Sequence, residues 1–417
     1  MKVEATPPRG FRDLLPADVA LRAEVLRAIT RAYATAGFQQ VETPAVESLH
    51  RLQSDSGGEN EKMLFRILRR GLEEDQPVLP HDACDLGLRY DLTVPLARYY
   101  ANNRAQLPTM FRSLQIGPVW RAERPQKGRF RQFVQCDIDV LGEASVLAEV
   151  ELCVATLRVL GELGLTGCVL RVNDRRILTG MLAAAGVPEQ LHGRVLVAVD
   201  KFDKVGAEGV AAEVRGLAGL EPAAAEAVAA LVAGFGAPGS DAPMPAGAPE
   251  DAAEGIATIS DAVRRLVPGA QVVFDPSLVR GMGYYTGAIF EVAHPASRSS
   301  IAGGGRYDGL IGKLGGVATP ACGFSLGFER IMEIVDPDVL LPQQRVVALL
   351  HRDASPVTLG LLQQRLVTEG WTVRAVRRGR NPRRQLEELR AQGATHHASV
   401  DGDDPDRELD VRELTAD

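Results

Sequence analysis

Between Pro118 and Asp137 the chain reads PVWRAERPQKGRFRQFVQCD, and five basic residues, Arg121, Arg124, Lys127, Arg129 and Arg131, fall within eleven positions. The whole chain carries a formal net charge of −7, so this stretch departs sharply from its surroundings. A solvated loop would account for it. So would a site for a strongly anionic group, such as a triphosphate or a nucleic-acid end. In the next run, VQCDIDVL, an extended chain turns Val134, Cys136, Ile138 and Val140 to one face and Gln135, Asp137 and Asp139 to the other. That alternation fits a strand with one wet face. With Arg121 and Arg131 flanking it, the same face carries both charge signs and fits a zwitterionic substrate beside a phosphate.

Four further stretches carry residues of chemical interest. In RYDLTVP, Asp91 and Thr93 point the same way if the segment is extended, offering a carboxylate and a hydroxyl to a primary ammonium; a turn cap is the plainer reading. In LVRGMGYYTGAIFEV, Arg280 precedes a glycine turn, two tyrosines and a strand. IAGGGRYDGLIG follows closely, and its Gly303, Gly304 and Gly305 permit close backbone approach to a ligand, or form only a turn. The lysine and hydroxyl spacing of a Walker-type phosphate loop is missing. In GFSLGFERI, Arg330 stands near a helix start, set against small glycines, or is a surface arginine.

The elements that would position these residues follow from periodicity. Residues 17–36 read as a helix capped by Asp18, with Val25, Leu26, Ile29 and Tyr33 on one face and Gly37 as its stop. FQQVETPAVES (38–48) reads as one strand whose proline suits an edge or interface. Residues 111–120 and 130–141 form a hairpin across the basic turn. A helix is expected from Ser145, and strands at 168–172 and 284–292. Residues 186–268 turn alanine-rich and helical, and 237–255 within them read as a low-complexity loop. Residues 322–335 read as a strand running into a helix. From Arg345 onward strands and helices alternate, with Ser355 and Asn381 as caps and Pro382 in a first turn, implying a small parallel α/β domain.

At 417 residues, with 45% hydrophobic and 24% charged content, the chain suits a globular protein of two or three domains. No apolar run is long enough to span a membrane, and MKVEATPPRGFRDLLP lacks a signal-peptide core. Five scattered cysteines without a C-x-x-C pair are expected to be reduced thiols of a cytoplasmic protein, and no metal-ligand cluster is expected.

In combination these stretches resemble the histidyl-tRNA synthetase family of class II aminoacyl-tRNA synthetases. The helix plus FQQVETPAVE with Pro44, the hairpin VWRAERPQKGRFRQF, and GFSLGFERI ending at Arg330 are similar, in order, to the three class motifs. RGMGYYTG (280–287) and GGRYDGL (304–310) are similar to the histidine-specific signatures, although Gly283 stands where the family usually has aspartate. The resemblance covers nearly the whole chain. It implies an α+β fold: a catalytic core on a mixed, mostly antiparallel sheet (residues 1–185 and 269–340), a helical insertion (186–268), and a C-terminal α/β anticodon-binding domain (345–417). It also implies a homodimer built through the first motif.

By the same resemblance, Arg121, Arg280 and Arg330 would be the catalytic cations. Arg121, Glu123, Arg129, Phe133, Arg280 and Arg330 would bind ATP, with Mg2+ bridging its phosphates. Asp91, Thr93 and Gln135 would take the α-amino group of L-histidine and Arg121 its carboxylate. Asp139 and Tyr285 would meet the imidazole, with Tyr284 and Tyr307 lining the pocket. Arg124, Lys127, Arg378 and Arg380 would contact tRNA(His). The implied activity is formation of histidyl-adenylate followed by transfer to the tRNA 3′ end. The competing reading is the catalytically silent relative that serves as regulatory subunit of ATP phosphoribosyltransferase. That relative lacks the C-terminal domain and tends to lose the reactive arginines, all present here. An enzyme loading histidine onto another acceptor is the third reading.

Overall fold

In the computed structural model the described residues are 5–53, 63–71, 83–124, 129–236, 241–279, 285–313, 317–341 and 345–414. The first helix, α1 (Pro16–Thr35), buries Val25, Ile29 and Tyr33, while Leu26 is only half-buried. Pro16 starts it, Asp18 accepts a hydrogen bond from the Leu15 N–H at 3.3 Å, and Gly37 ends it with φ of 90°.

Residues 38–48 do not make one strand. They give β1 (Gln39–Gln40) and β2 (Val46–Ser48), which join different sheets on either side of Pro44. After α2 (Leu49–Leu52), β3 (Arg66–Leu68) and β4 (Cys84–Leu88) pair antiparallel, and with β2 form a three-stranded sheet. Helix α3 (Thr93–Asn103) leads to the expected hairpin, β5 (Phe111–Trp120) and β6 (Gln132–Leu141), paired over its full length. Then come α4 (Leu147–Glu162), β7 (Val169–Asp174), α5 (Arg175–Ala184), α6 (Glu189–Val199), α7 (Phe202–Arg215), α8 (Pro222–Ala233) and α9 (Glu250–Leu266). The loop reading of 237–255 overran its end: α9 starts at Glu250 and buries Ala252, Ile256, Ile259 and Val263 along one face.

Strands β8 (Gln271–Phe274), β9 (Ala288–Ala293), β10 (Ala302–Arg306) and β11 (Ala321–Leu326) complete an eight-stranded sheet, with α10 (Gly309–Lys313) and α11 (Phe328–Ile334) beside them. Its order is β1-β5-β6-β11-β10-β9-β7-β8. Parallel pairing is confined to the two edges, β1 with β5 and β7 with β8; every interior pair is antiparallel. Helices α1 and α9 pack on α4, which itself lies on β6 and β11. A second core gathers α5 to α8 around Val195, Leu196, Val210 and Val228, together with Leu278, Val279 and Ile289.

The chain divides into two units, residues 1–336 and 337–417. The second begins with α12 (Pro337–Leu340) and contains β12 (Val346–His351), α13 (Pro356–Thr368), β13 (Thr372–Arg377), α14 (Pro382–Ala391), β14 (His396–Val400) and β15 (Arg412–Glu413). The three longer strands are parallel, as their alternation with helices requires, and β15 adds a short antiparallel edge beside β14. Ser355 and Asn381 cap α13 and α14 by accepting from the N–H groups of Thr358 and Arg384.

Candidate active site

Strand β6 is the spine of a cavity of about 480 Å³ in the first unit. From Cys136 to Leu141 neither face of this strand is wet. Cys136, Ile138 and Val140 are fully buried on one side, while Asp137 and Asp139 are 4% and 3% exposed on the other. The polar side therefore faces the cavity rather than bulk water. Register explains the room for it, because Gly323 of β11 lies opposite Asp139. A Cβ at Gly323 would sit 2.0 Å from Asp139 Oδ1 and 3.2 Å from the Tyr307 ring. Tyr307 donates its hydroxyl to that same Oδ1 at 2.6 Å.

Burial dominates the electrostatics of this floor. It pushes Asp139 up to about 7, against the Tyr307 hydrogen bond and helped by the charge of Asp91. It pushes Asp91 up to about 6, against the Val94 N–H and Arg121. Asp137 is driven well above the ordinary carboxylate value by burial first and by Asp139 second.

The cations gather toward the turn end of the hairpin. Arg121 follows β5, donates from Nε to the Tyr90 carbonyl at 3.0 Å, and lies 5.0 Å from the Phe133 ring centre. Arg121, Glu123, Arg129 and Phe133 all line the cavity, as does Arg330 in the first turn of α11. Arg330 is anchored rather than loose, donating to the carbonyl and hydroxyl of Ser300. Because β11 ends with Leu326 opposite Cys136, α11 starts near the turn end of β6, and the Val134 N–H donates to Glu329 there at 3.3 Å. The cavity is thus polarised: Arg121, Arg129 and Arg330 stand at the turn end of β6 with Glu123 and Glu329 beside them, and only the acidic Asp137 and Asp139 stand farther along it.

Asp91, Thr93, Gln135, Tyr285 and Tyr307 also line this cavity. Asp91 and Thr93 are not extended, however. Thr93 opens α3, and Asp91 accepts from the Val94 N–H at 3.2 Å, so the turn-cap reading holds for Asp91 even though it faces the cavity. Of the glycine run, only Gly303 lines the cavity. Gly304 and Gly305 instead admit neighbouring strands: a Cβ there would stand 2.0 Å from the Gly323 carbonyl oxygen and 2.6 Å from that of Ala288. Arg124 is exposed and outside the cavity lining. Arg131 supports the turn base, its N–H donating to the Gly10 carbonyl and its Nε to that of Glu123. Lys127, Arg280, Gly283 and Tyr284 lie outside the described residues. In the second unit, Arg380 is exposed, whereas Arg378 pairs with Asp401 at 3.0 Å.

Sequence reasoning passed over Glu329 as a site residue. It is 8% exposed on the cavity wall and held by Arg22 at 2.7 and 2.8 Å and by Arg12. Burial alone would raise its carboxyl, but Arg22 and then Arg12 hold it below the ordinary value. Its only signal in the sequence was its place beside Arg330. Ser325, opposite Asp137, was missed too; its hydroxyl accepts from Gln135 Nε2 at 3.1 Å. Among the described residues no group of three or more His, Cys, Asp or Glu is arranged to hold a metal ion.

The sequence model of the family described as histidyl-tRNA synthetase matches residues 10–331. Histidine–tRNA ligase of Leifsonia xyli subsp. xyli is 48% identical, with 98% of each chain covered. The crystal structure of histidyl-tRNA synthetase from Nostoc sp. PCC 7120 superposes with a TM-score of 0.74 at 26% identity, covering 96% of this chain and 92% of that one. A Bacillus halodurans structure described as an ATP phosphoribosyltransferase regulatory subunit/histidyl-tRNA synthetase gives a TM-score of 0.73 at 19% identity, covering 96% and 98%. At that identity it shows the fold alone. With its motifs in order, a polarised cavity on the central sheet and these matches, the chain belongs to the histidyl-tRNA synthetase family.

Proposed function

We propose that this chain is a histidine–tRNA ligase that activates L-histidine with ATP and passes the histidyl group to tRNA(His). The observation that carries this reading is the polarity of the cavity: cations for phosphates at one end of β6, and buried hydrogen-bond acceptors for ammonium and imidazole at the other. In the first step a histidine carboxylate oxygen attacks the α-phosphorus in line, the bond to pyrophosphate breaks, and histidyl-adenylate forms. Charge builds on the phosphorus oxygens, so the protein's part is alignment and fixed positive charge rather than proton transfer. Arg121 and Arg280 serve the α-phosphate, and Arg330 the γ-phosphate end, with Glu123, Arg129 and Phe133 around the nucleotide. Magnesium, bound to the phosphates, would neutralise charge there, and Glu123, an exposed carboxylate on the cavity wall, suits a hard cation. In the second step the terminal ribose hydroxyl attacks the histidyl carbonyl and AMP leaves.

Selection for histidine rests on groups that lose their partners with any other substrate. Asp139, braced by Tyr307, and Tyr285 meet the ring; Asp91, Thr93 and Gln135 meet the α-amino group, with Tyr284 and Tyr307 lining the pocket. A buried acceptor left unpaired by an apolar side chain rejects it strongly. Arg124 and Lys127 address the tRNA acceptor end, and residues 345–417, with Arg378 and Arg380, its anticodon. Residues 186–268 form the helical insertion, and the first motif makes a homodimer in the cytoplasm. No described helix is long and apolar enough to cross a membrane.

Histidine-dependent ATP–pyrophosphate exchange, followed by charging of tRNA, tests the whole reading. Exchange and charging are both expected. Histidine binding without exchange would favour the regulatory relative, which the identities to ligases support less. Exchange without charging would point to another acceptor.

A further inference from the structure

Three side-chain acceptors on the cavity side of β6 have no hydrogen-bond partner among the described residues: Gln135 Oε1, Asp137 Oδ1 and Asp139 Oδ2. They lie at alternate positions of one strand, so successive rungs of this ladder stand about 6.5 Å apart. A buried acceptor without a partner is costly, and three in a row on a cavity wall mark where a ligand's donors go. The family resemblance accounts for the two outer rungs, with Asp139 for the imidazole and Gln135 for the amino group. It leaves the middle rung, Asp137, unassigned.

The middle rung is the least satisfied. Asp137 is 4% exposed, and its Oδ2 takes a long contact of 3.4 Å from Gln135 Nε2, an amide that also donates to the Ser325 hydroxyl. Burial first, then Asp139 and Asp91, oppose its charge, while Ser325 and Arg121 favour it. Asp91, the other carboxylate offered to the amino group, already spends Oδ1 on the Val94 N–H, and Gln135 and Thr93 are neutral. Asp137 Oδ1 is therefore a buried carboxylate oxygen, with no partner among the described residues, placed to take a cationic donor one rung from the imidazole acceptor. That separation is commensurate with the distance from a histidine ring to its backbone nitrogen.

We propose that Asp137 is a further substrate-contacting residue, whose Oδ1 accepts a hydrogen bond from the α-ammonium of histidine and selects for an amino acid over des-amino analogues. This rests on the histidine–tRNA ligase reading. It is tested with Asp137→Asn, of the same shape, by pyrophosphate exchange on histidine and on a triazole analogue of histidine, whose ring carries no charge near neutral pH. An ammonium contact predicts the same rise in KM for both amino acids, about 10–100-fold, with the KM for ATP unchanged and the melting temperature not lowered. A rise confined to histidine would assign Asp137 to the ring and overturn the proposal. A rise below about threefold for both, or an equal rise for ATP, would overturn it as well. Should the amide variant not fold, Asp137→Ser repeats the measurement with a smaller side chain. Failure of the parent protein to exchange with histidine would instead sink the ligase reading, and is read separately.

Discussion

The cavity floor on β6 and the basic turn of the second unit are both dense in charge, but they handle it in opposite ways. On β6, Asp137 and Asp139 are buried and each keeps an oxygen with no hydrogen-bond partner among the described residues. Between β13 and α14 the arginines are largely exposed and several are already occupied. Arg374 donates to the Gln392 carbonyl at 2.8 Å, Arg378 pairs with Asp401, and Arg383 and Arg384 pair one helical turn on with Glu387 and Glu388. Exposed pairs of this kind contribute little to stability, and they are screened by salt. Buried, unpaired acceptors destabilise the ligand-free fold and persist where a ligand relieves them. The floor therefore states its purpose in its geometry. The basic turn is stable without a partner, and only binding measurements reveal whether RNA uses it.

The largest effect should come from the cationic end of the cavity. Arg121→Ala is expected to lower the rate of pyrophosphate exchange about 10²–10³-fold, the usual loss for one preorganised charge at a developing oxyanion. Exchange within a few-fold of the parent would remove Arg121 from the chemistry and weaken the contrast between the two ends of β6. Next, Asp139→Ala should raise the KM for histidine about 10–100-fold while ATP is nearly unaffected. Equal effects on both substrates would make Asp139 a structural group that merely supports Tyr307.

The basic turn gives a smaller and more graded response. Arg377 and Arg380 have no ion pair among the described residues, whereas Arg383 and Arg384 do. If the turn grips RNA, reversing Arg377 and Arg380 should weaken tRNA binding and flatten its salt dependence by about 0.7–0.9 per lost phosphate contact. Reversing Arg383 and Arg384 should do less, since those side chains already have acidic neighbours. A tRNA titration across salt concentrations with all four variants unchanged would leave the turn a solvated surface.

The smallest effect is on stability. Asp139 has its folded-state value raised to about 7 by burial, so between the ordinary carboxylate range and pH 7 the folded chain holds a proton that the unfolded chain has released. Stability without ligand should therefore fall as pH rises through that window. Asp139→Asn removes the liability, and should melt a few degrees above the parent at pH 8, with the gap closing toward pH 4. A variant that melts lower than the parent at pH 8 would mean that the ionised carboxylate is compensated after all.

Much of this arrangement was legible from local pattern. Helix α1, its stop at Gly37, the β5–β6 hairpin and the caps at Ser355 and Asn381 each follow from spacing over a few residues. The failures have physical causes. Pro44 interrupts what reads as one strand, and β1 and β2 then find partners in separate sheets. The alanine-rich stretch before Glu250 hides the start of α9, because small residues carry little periodic signal until Ile256 and Ile259 mark the buried face. Arginines in neighbouring motifs look alike in sequence yet differ in role. Arg89 donates to the Thr43 and Pro118 carbonyls, and Arg306 is locked on Glu149 at 2.5 and 2.6 Å, while Arg121 and Arg330 face the cavity.

By itself the sequence determined the element order, the motifs on the central sheet and the side of β6 that would carry the polar residues, since all of these depend on interactions between near neighbours and on periods of 2 and 3.6 residues. Only the tertiary structure decided that the carboxylates on this polar side are buried. It took Gly323, far along the chain, to open room for the Asp139 carboxylate, and Arg12 and Arg22, more than 300 positions away, to charge Glu329. Desolvation is a property of everything that closes over a group, and no stretch of sequence around Asp137 or Asp139 contains it.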